Sequence, residues 1–439
     1  MSYKILSLDG GGSWAMIQAY VLNDLYPGAS GHEVLRQFDM AIGNSGGSLV
    51  LAALCNNMSP QQIIHVFDDE SCRKKVFSKL SFAEKMFPAR NRLSLFRNIF
   101  HIGPKYKTTR KLEGLREILT KHDNLFRDGK ISTPVVDTWM DELPAIIGKK
   151  DLQLIVAGFD YFRERVVFFR SNLDSNTDRF SRDKQFRITL GHAIHSSSNA
   201  PVNYFDEPAS VKIERREKTE ERISWFWDGG VAGFNNPVLA GLVEALTNGK
   251  GKDLSEYKIL SLGTALRQRA IISDFSTSSD PVIKKVYDEN KDNPYVVSAT
   301  HFKFLHDIQK VAGSILSDPP DSASFIACAF LHPSLQTDSP NLVRINPCIS
   351  PILVDGIYQP ATVYKNDELS FKKLLDIDMD AIEDSEIELI KDLCKKFITD
   401  SDPCIPNQYI RGDRKSDRLG FGTYREAKKR WKEIQGESE

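Results

Sequence analysis

The chain has 439 residues, 41% hydrophobic and 27% charged, a composition that fits a folded globular protein and excludes a disordered one. Its formal net charge of −1 names no polyanionic partner. No apolar run approaches the length needed to cross a bilayer. The first residues enter a strand pattern directly and lack the apolar core of a signal peptide. The six cysteines (Cys55, Cys72, Cys328, Cys348, Cys394 and Cys404) show no C-x-x-C spacing and read as ordinary thiols of a reducing compartment. The expectation is a cytoplasmic protein.

In chain order, Tyr3 to Leu8 reads as a buried strand followed by glycines and a helix over Trp14 to Tyr26. Phe38 to Ile42 is a second short buried strand, and Ser48 to Leu54 can continue as a helix. From Arg73 to Arg116 there are 13 Lys and Arg against two acids, so the rest of the chain carries about −12. Phe77, Phe82, Phe87, Phe96, Phe100 and Tyr106 are interleaved with these charges. This segment is either a solvated surface with its aromatics buried, or a surface attracted to anionic lipid or a nucleotide.

Leu152 to Phe159 and Arg165 to Arg170 read as strands, Arg187 to Ser196 as a helix, and Ile223 to Asp228 as a strand. The charged run Glu214 to Arg222 is an exposed hairpin tip or loop. Asn236 to Leu246 is helical and Tyr257 to Leu262 is a further buried strand. Such alternation predicts an α/β fold with a mainly parallel sheet covered by helices. Beyond it, Tyr295 to Leu316 predicts a long helix, Ser324 to Leu331 one more strand, and residues from Asn366 onward mostly helix. Ile387, Ile390, Leu393 and Phe397 form one apolar stripe that predicts packing onto the body of the protein. No internal repeat stands out.

Four pieces bear on acyl chemistry. Gly43-Asn44-Ser45-Gly46-Gly47 fits G-x-S-x-G, a tight strand-to-helix turn that presents a serine hydroxyl. A glycine-rich turn without chemistry would have the same pattern. Asp9-Gly10-Gly11-Gly12 ends the first strand, and successive backbone N–H groups there can hold a developing negative charge. Gly10, Gly12 and Ala15 also satisfy a dinucleotide fingerprint, but Asp39 lies at the start of its strand rather than at the end, where a ribose-binding acid belongs. Asp228-Gly229-Gly230 follows a strand, at the end where open α/β sheets bind ligands, although an isolated Asp-Gly-Gly is also an ordinary turn. Asn199 to Phe205 follows the serine run Ser196-Ser197-Ser198 and marks a helix ending before a proline.

In this order the four pieces resemble the patatin-like phospholipases, with a DGGG loop, a GxSxG nucleophile elbow, an APxYF-type stretch and a DGG motif. Pro104-Lys105-Tyr106, Asn235-Asn236-Pro237 and Leu260-Ser261-Leu262-Gly263-Thr264 are further matches, and the resemblance covers about Lys4 to Thr264. It implies a three-layer α/β sandwich. The expected domains are a catalytic domain over 1–350, with a basic aromatic insertion at about 73–116, and, from the helical signals, a mostly helical extension over 351–439 packed on it. The resemblance implies a Ser45–Asp228 dyad without histidine, flanked in the elbow by Gly43 and Gly47, with the amides of Gly10, Gly11 and Gly12 as oxyanion hole. The implied reaction is hydrolysis of fatty acyl esters of glycerophospholipids at a membrane surface, without metal or organic cofactor. One departure is Ser13-Trp14-Ala15, where the family commonly has x-R-G; it puts the substrate class in doubt and raises the alternative of an inactive patatin-fold binding module. Some bacterial members answer to cyclic nucleotides, so the resemblance allows such an activator, and it allows a homo-oligomer.

A Ser-Asp-His triad would need a histidine after Asp228, leaving His301, His306 and His332. His192 and His195 fall in a predicted helix and read as packing or surface residues. No His, Asp or Glu cluster has metal-ligand spacing.

Overall fold

The computed structural model describes residues 2–81, 84, 104–172, 186–215, 221–248, 253–272, 279–298, 319–334, 340–399, 405–410 and 419–437. At its centre the same hexapeptide occurs twice. Strand β1 (Tyr3–Leu8) and strand β8 (Tyr257–Leu262) both read YKILSL, and they pair in parallel, each residue against its twin. This recurrence is too short to stand out as an internal repeat.

The other sheet strands are β2 (Met40–Gly43), β3 (Gln153–Asp160), β4 (Arg165–Arg170), β5 (Phe186–Arg187), β6 (Ala209–Arg215), β7 (Glu221–Asp228) and β9 (Leu342–Ile345). The order is β9-β8-β1-β2-β3-β7-β6-β5, with β4 also on β3. From β9 to β3 the pairs are parallel, and those of β3 with β4 and with β7, and on through β6 to β5, are antiparallel. Both faces of the parallel part are buried, which is why its strands are continuously apolar. Ile5, Met40, Ile42, Ile155 and Ile259 face one side, where helices α5 (Val238–Asn248) and α6 (Pro319–Leu331) cover them. Leu6, Leu8, Ala41, Leu154, Val156 and Leu260 face the other. There the cover is α1 (Met16–Leu25), α2 (Ser45–Cys55) and α4 (Leu190–Ser197), with α3 (Thr108–Lys121) outside them.

Beyond β9 lie α7 (Glu368–Asp376), α8 (Asp384–Ile398) and α9 (Tyr424–Gln435). The apolar stripe Ile387, Ile390, Leu393 and Phe397 of α8 is buried in the same core as Ile17 and Leu22 of α1. Trp431 of α9 stacks on Phe38 with ring centroids 5.8 Å apart and donates its indole N–H to the Tyr26 hydroxyl at 2.9 Å.

Two expectations are corrected. Ser324 to Leu331 is helix, not strand: Ala323, Ser324, Ala327, Cys328 and Leu331 are buried at helical spacing. A short apolar run rich in small residues fits either period. Strand β9 has no counterpart among the expected elements, because its four residues sit between Pro340 and Pro347 with little pattern around them. Of the expected helix from Tyr295, Val296–Ser298 is a strand paired with Ala270–Ile272, and 299–316 lie outside the described residues. Phe82, Phe87, Phe96, Phe100, His301, His306 and Cys404 also lie outside them.

Candidate active site

Strand β2 turns sharply into α2, and Ser45 is the first residue of that helix. Its φ of 48° lies in the left-handed region that side chains rarely adopt. Such a residue stores about 1–3 kcal/mol and persists only where its surroundings force it. The forcing here is close backbone approach: a Cβ at Gly47 would overlap the Leu8 carbonyl, and one at Gly10 would come 2.9 Å from the Ser45 Cβ. The turn thereby presents the hydroxyl at the C-terminal ends of β1 and β2.

Asp228 ends β7 and reaches the same place from the antiparallel side of the sheet. The Ser45 hydroxyl lies near its carboxylate and favours the charged form. Oδ1 accepts the Asn44 amide at 3.1 Å and the Gly230 N–H at 2.8 Å. The backbone is fixed as well, since the Asp228 N–H donates to the Asn199 carbonyl at 3.0 Å and the Ser45 N–H donates to Ser197 Oγ at 2.9 Å. Ser197 in turn donates to Asn44 Oδ1 at 3.3 Å. Ser45 is 6% exposed and Asp228 3%. Burial pushes the Asp228 carboxyl above its ordinary value, while the nearby Ser45 hydroxyl, the hydrogen bonds from Gly230 and Asn44 and the charge of Lys111 hold it down.

Lys111 of α3, Asn44 and Ser197 are site residues that sequence reasoning does not single out. Lys111 is fully buried, and its ammonium donates to the His195 carbonyl and to Asn199 Oδ1, both at 2.9 Å, while lying 4.2 Å from the centre of the Phe205 ring. Burial pushes it well below its ordinary value, against the Asp228 charge. The only local signal for Lys111 is its register on an otherwise apolar helix face, with Leu115, Ile118 and Leu119.

The glycine loop lies against the elbow. The Gly10 N–H donates to the Asn235 carbonyl at 2.8 Å, so it is engaged and not offered to an oxyanion, in contrast to the expectation for all three glycines. The N–H groups of Gly11 and Gly12 meet no acceptor among the described residues. Asp9 forms an ion pair at 2.6 Å with Arg344 of β9, beneath the loop. Burial pushes the Asp9 carboxyl up to about 6 against that arginine. Asp39, at the opposite end of the sheet, binds Lys149 at 2.9 Å and the Lys4 N–H at 2.8 Å, a structural tie.

A strap formed by residues 376–384, between α7 and α8, crosses the loop. The Ser13 N–H donates to the Met379 carbonyl at 2.9 Å, Ser13 Oγ to the Ala381 carbonyl at 2.7 Å, and the Trp14 indole to the Asp378 carbonyl at 3.1 Å. Asp380 accepts from the Tyr106 hydroxyl at 2.5 Å and from Lys105 at 2.8 Å. Arg73 donates to the Ile382 carbonyl at 2.7 Å and pairs with Asp384. Met379, Tyr204 and Phe205 wall in a cavity of about 20 Å³ beside Ser45.

This strap explains the basic segment. Of its nine described Lys and Arg, eight pair with carboxylates, among them Glu70, Glu117, Asp206, Glu84 and Asp137 besides the strap's own acids, and the ninth is Lys111. Phe77 and Tyr106 pack on Phe205. In its described part the segment is therefore a neutralised clamp with buried aromatics, not a free cationic surface. No histidine is among the described residues lining the Ser45 cavity. His332 accepts the Asn341 N–H at 2.9 Å, and His195 is buried with its carbonyl on Lys111.

The family model for patatin-like phospholipase matches residues 6–242, just over half of the chain. The chain belongs to the patatin-like phospholipase family and has its fold, which places it among lipid hydrolases. Similar solved structures include the type III effector protein ExoU, at 15% identity over 45% of this chain and 39% of that one, with a TM-score of 0.25. VipD from Legionella pneumophila is 11% identical over 91% of this chain and 75% of that one, at 0.30. Full-length ExoU in complex with full-length SpcU, from the Pseudomonas aeruginosa type III secretion system, is 13% identical over 76% and 53%, at 0.26. The chain thus spans well under half the length of the first ExoU chain, and the family membership rests on the family model. No curated protein matches. No helix among the described residues is long and apolar enough to cross a membrane.

Proposed function

We propose that this chain is a serine acyl hydrolase that cleaves fatty acyl esters of glycerophospholipids with Ser45 as nucleophile and Asp228 as base. The observation that carries the reading is the meeting of a left-handed Ser45 with the Asp228 carboxylate. A neutral hydroxyl is a weak nucleophile until a base stands beside it. Ser45 Oγ attacks the ester carbonyl as its proton passes to Asp228. The oxyanion of the tetrahedral intermediate lies against the free N–H groups of Gly11 and Gly12. The intermediate collapses, the lysolipid alcohol leaves with the proton from Asp228, and an acyl-Ser45 ester remains. Water then attacks that ester, losing a proton to Asp228, and Asp228 returns that proton to Ser45 Oγ as the fatty acid departs.

An apolar cavity of about 70 Å³ behind Leu49, lined by Ala53, Met58, Ile63 and Phe67, shares Gly12, Leu49, Val76 and Phe77 with the Ser45 cavity, and its apolar lining suits the first methylenes of an acyl chain. We take 1–350 as the catalytic domain and 351–439 as the extension that supplies the strap. In the closed arrangement the space at Ser45 admits about one water. The strap must therefore move before a lipid enters, which favours an enzyme switched on by an activator, with a cyclic nucleotide or an anionic membrane surface as candidates.

The test is fatty acid release from phospholipid vesicles by purified protein, with and without each candidate activator, beside labelling by a fluorophosphonate. Rapid labelling that disappears in Ser45→Ala supports the enzyme. A folded protein that neither labels nor releases fatty acid under any of these conditions is the inactive binding module.

A further inference from the structure

On the other side of the glycine loop lies a second cavity of about 650 Å³ whose lining mixes charged and polar groups with apolar side chains. Gly10, Gly11, Trp14 and Thr264 form its floor, and Tyr204 and Met379 stand between it and the Ser45 cavity, lining both. Its wall carries charge of both signs, and most of that charge is spoken for. Asp9 is paired with Arg344, Asp376 with Arg269, and Asp378 with Lys105 and the Tyr204 hydroxyl. Asp321 accepts from Gln408. Arg267 differs: among the described residues it makes no hydrogen bond and no ion pair. Its guanidinium carbon lies 4.5 Å from the centre of the Trp14 ring.

That placement is specific. Arg267 closes the short strand Leu266–Arg267, which the Gly263-Thr264 turn carries out of β8 and which pairs with Cys348–Ile349. Trp14 is itself fixed, being 1% exposed with its indole N–H on the Asp378 carbonyl. A guanidinium lying on an indole gains cation–π attraction and keeps its planar fork of donors free for an oxyanion. Burial pushes Arg267 down from its ordinary value, opposed by Asp378 and Tyr204. A bound anion would offset that desolvation.

We propose that this cavity is a phosphate subsite, in which Arg267, held over the Trp14 ring, takes the phosphodiester of the lipid headgroup while the acyl chain lies on the Leu49 side. This rests on the acyl hydrolase reading and deepens it. The residue that departs from the family motif, Trp14, becomes the platform for a cation supplied from a different strand.

The test compares phosphatidylglycerol, diacylglycerol of the same chains in the same micelles, and p-nitrophenyl butyrate, in wild type, Arg267→Gln and Arg267→Lys. One charge-assisted, bidentate contact is worth about 10- to 100-fold. Arg267→Gln should lose that much kcat/KM on phosphatidylglycerol, mainly through KM, and less than about threefold on the other two esters. Arg267→Lys should fall between. Retained turnover of p-nitrophenyl butyrate shows that the variants fold. Calorimetry with sn-glycero-3-phosphoglycerol reads the cavity without turnover, and its binding should weaken in Arg267→Gln.

Equal losses on all three esters, or none, overturn the subsite while leaving the hydrolase standing. A wild type that cleaves none of the esters even with each candidate activator present removes the hydrolase, and binding of the headgroup analogue then decides the cavity alone. A free phosphodiester is the other source of the same chemistry. If cyclic di-AMP binds in an Arg267-dependent way without competing with phosphatidylglycerol, the site belongs to a soluble ligand and the headgroup assignment fails.

Discussion

The two cavities flanking the glycine loop differ in size and lining. One is narrow, about 70 Å³, and almost wholly aliphatic and aromatic, walled by α2, α3 and the segment around Ile63 to Phe77. The other is about 650 Å³ and is lined by Arg267, Arg344, Asn346, Asp376, Asp378 and Gln408. Ser45 sits between them, and a lipid ester has the same asymmetry about its scissile carbonyl. The contrast teaches that binding can orient the substrate before any chemistry: burying the chain on one side is driven by apolar area, and seating the head on the other is driven by charge.

Replacing Ser45, the proposed nucleophile, should abolish the meaning of both sides at once. Ser45→Ala is expected to lower turnover of long-chain and short-chain esters alike by at least about 10³-fold, measured on purified folded protein. A residual rate near wild type would separate the cavities from the reaction. Asp228→Asn should cost about as much activity and yet stabilise the fold. Because the folded-state value of Asp228 is raised, the stability linked to it is present below the unfolded carboxylate value and is lost as pH rises through the folded one. Thermal unfolding at neutral pH should thus show the Asp228→Asn variant melting about 1–3 °C higher than wild type, with the gap closing in acid. The same shift should move the acid limb of the wild-type kcat/KM profile above the ordinary carboxylate range.

The barrier between the cavities can be removed separately. Met379→Ala takes away the side chain that walls off Ser45 while leaving the carbonyl that holds the Ser13 N–H. Losing about 1–2 kcal/mol of packing in the closed form should raise activator-free turnover by roughly 5- to 30-fold. No increase would mean that the strap does not limit access. The smallest effect sharpens the apolar side. Ala53→Leu adds methylenes to the narrow cavity and should lower kcat/KM for long-chain esters by about fivefold, sparing butyrate esters.

Sequence reading reaches furthest where structure is local. The strands at Tyr3, Leu152 and Tyr257 are continuous apolar runs, and the elbow and the Asp-Gly-Gly turn carry their glycines in the chain itself. The strap is out of reach of that logic. Ser13 and Ala381 touch across most of the chain, and the run of acids at Asp376 to Glu386 looks like a solvated surface until its partners Arg73, Lys79 and Lys105 are placed beside it. Lys111 is hidden for a related reason. A lysine in a basic segment predicts exposure, whereas its burial is offset by oxygens of α4 and its C-terminal end that only the tertiary fold supplies. Helix α6 reads as a strand because Ser, Ala and Cys pack helices closely without producing a strong period.

The twin hexapeptides carry a last consequence. Since β1 and β8 present identical side chains to both layers, the interior of the sheet is degenerate between them. Exchanging the two segments would alter no core contact, yet each would still have to hand the chain to a different continuation, Asp9-Gly10 in one case and Gly263-Thr264 in the other. Grafting a few residues beyond the hexapeptide would therefore move the glycine loop to the neighbouring strand end, away from Ser45, without melting the sheet.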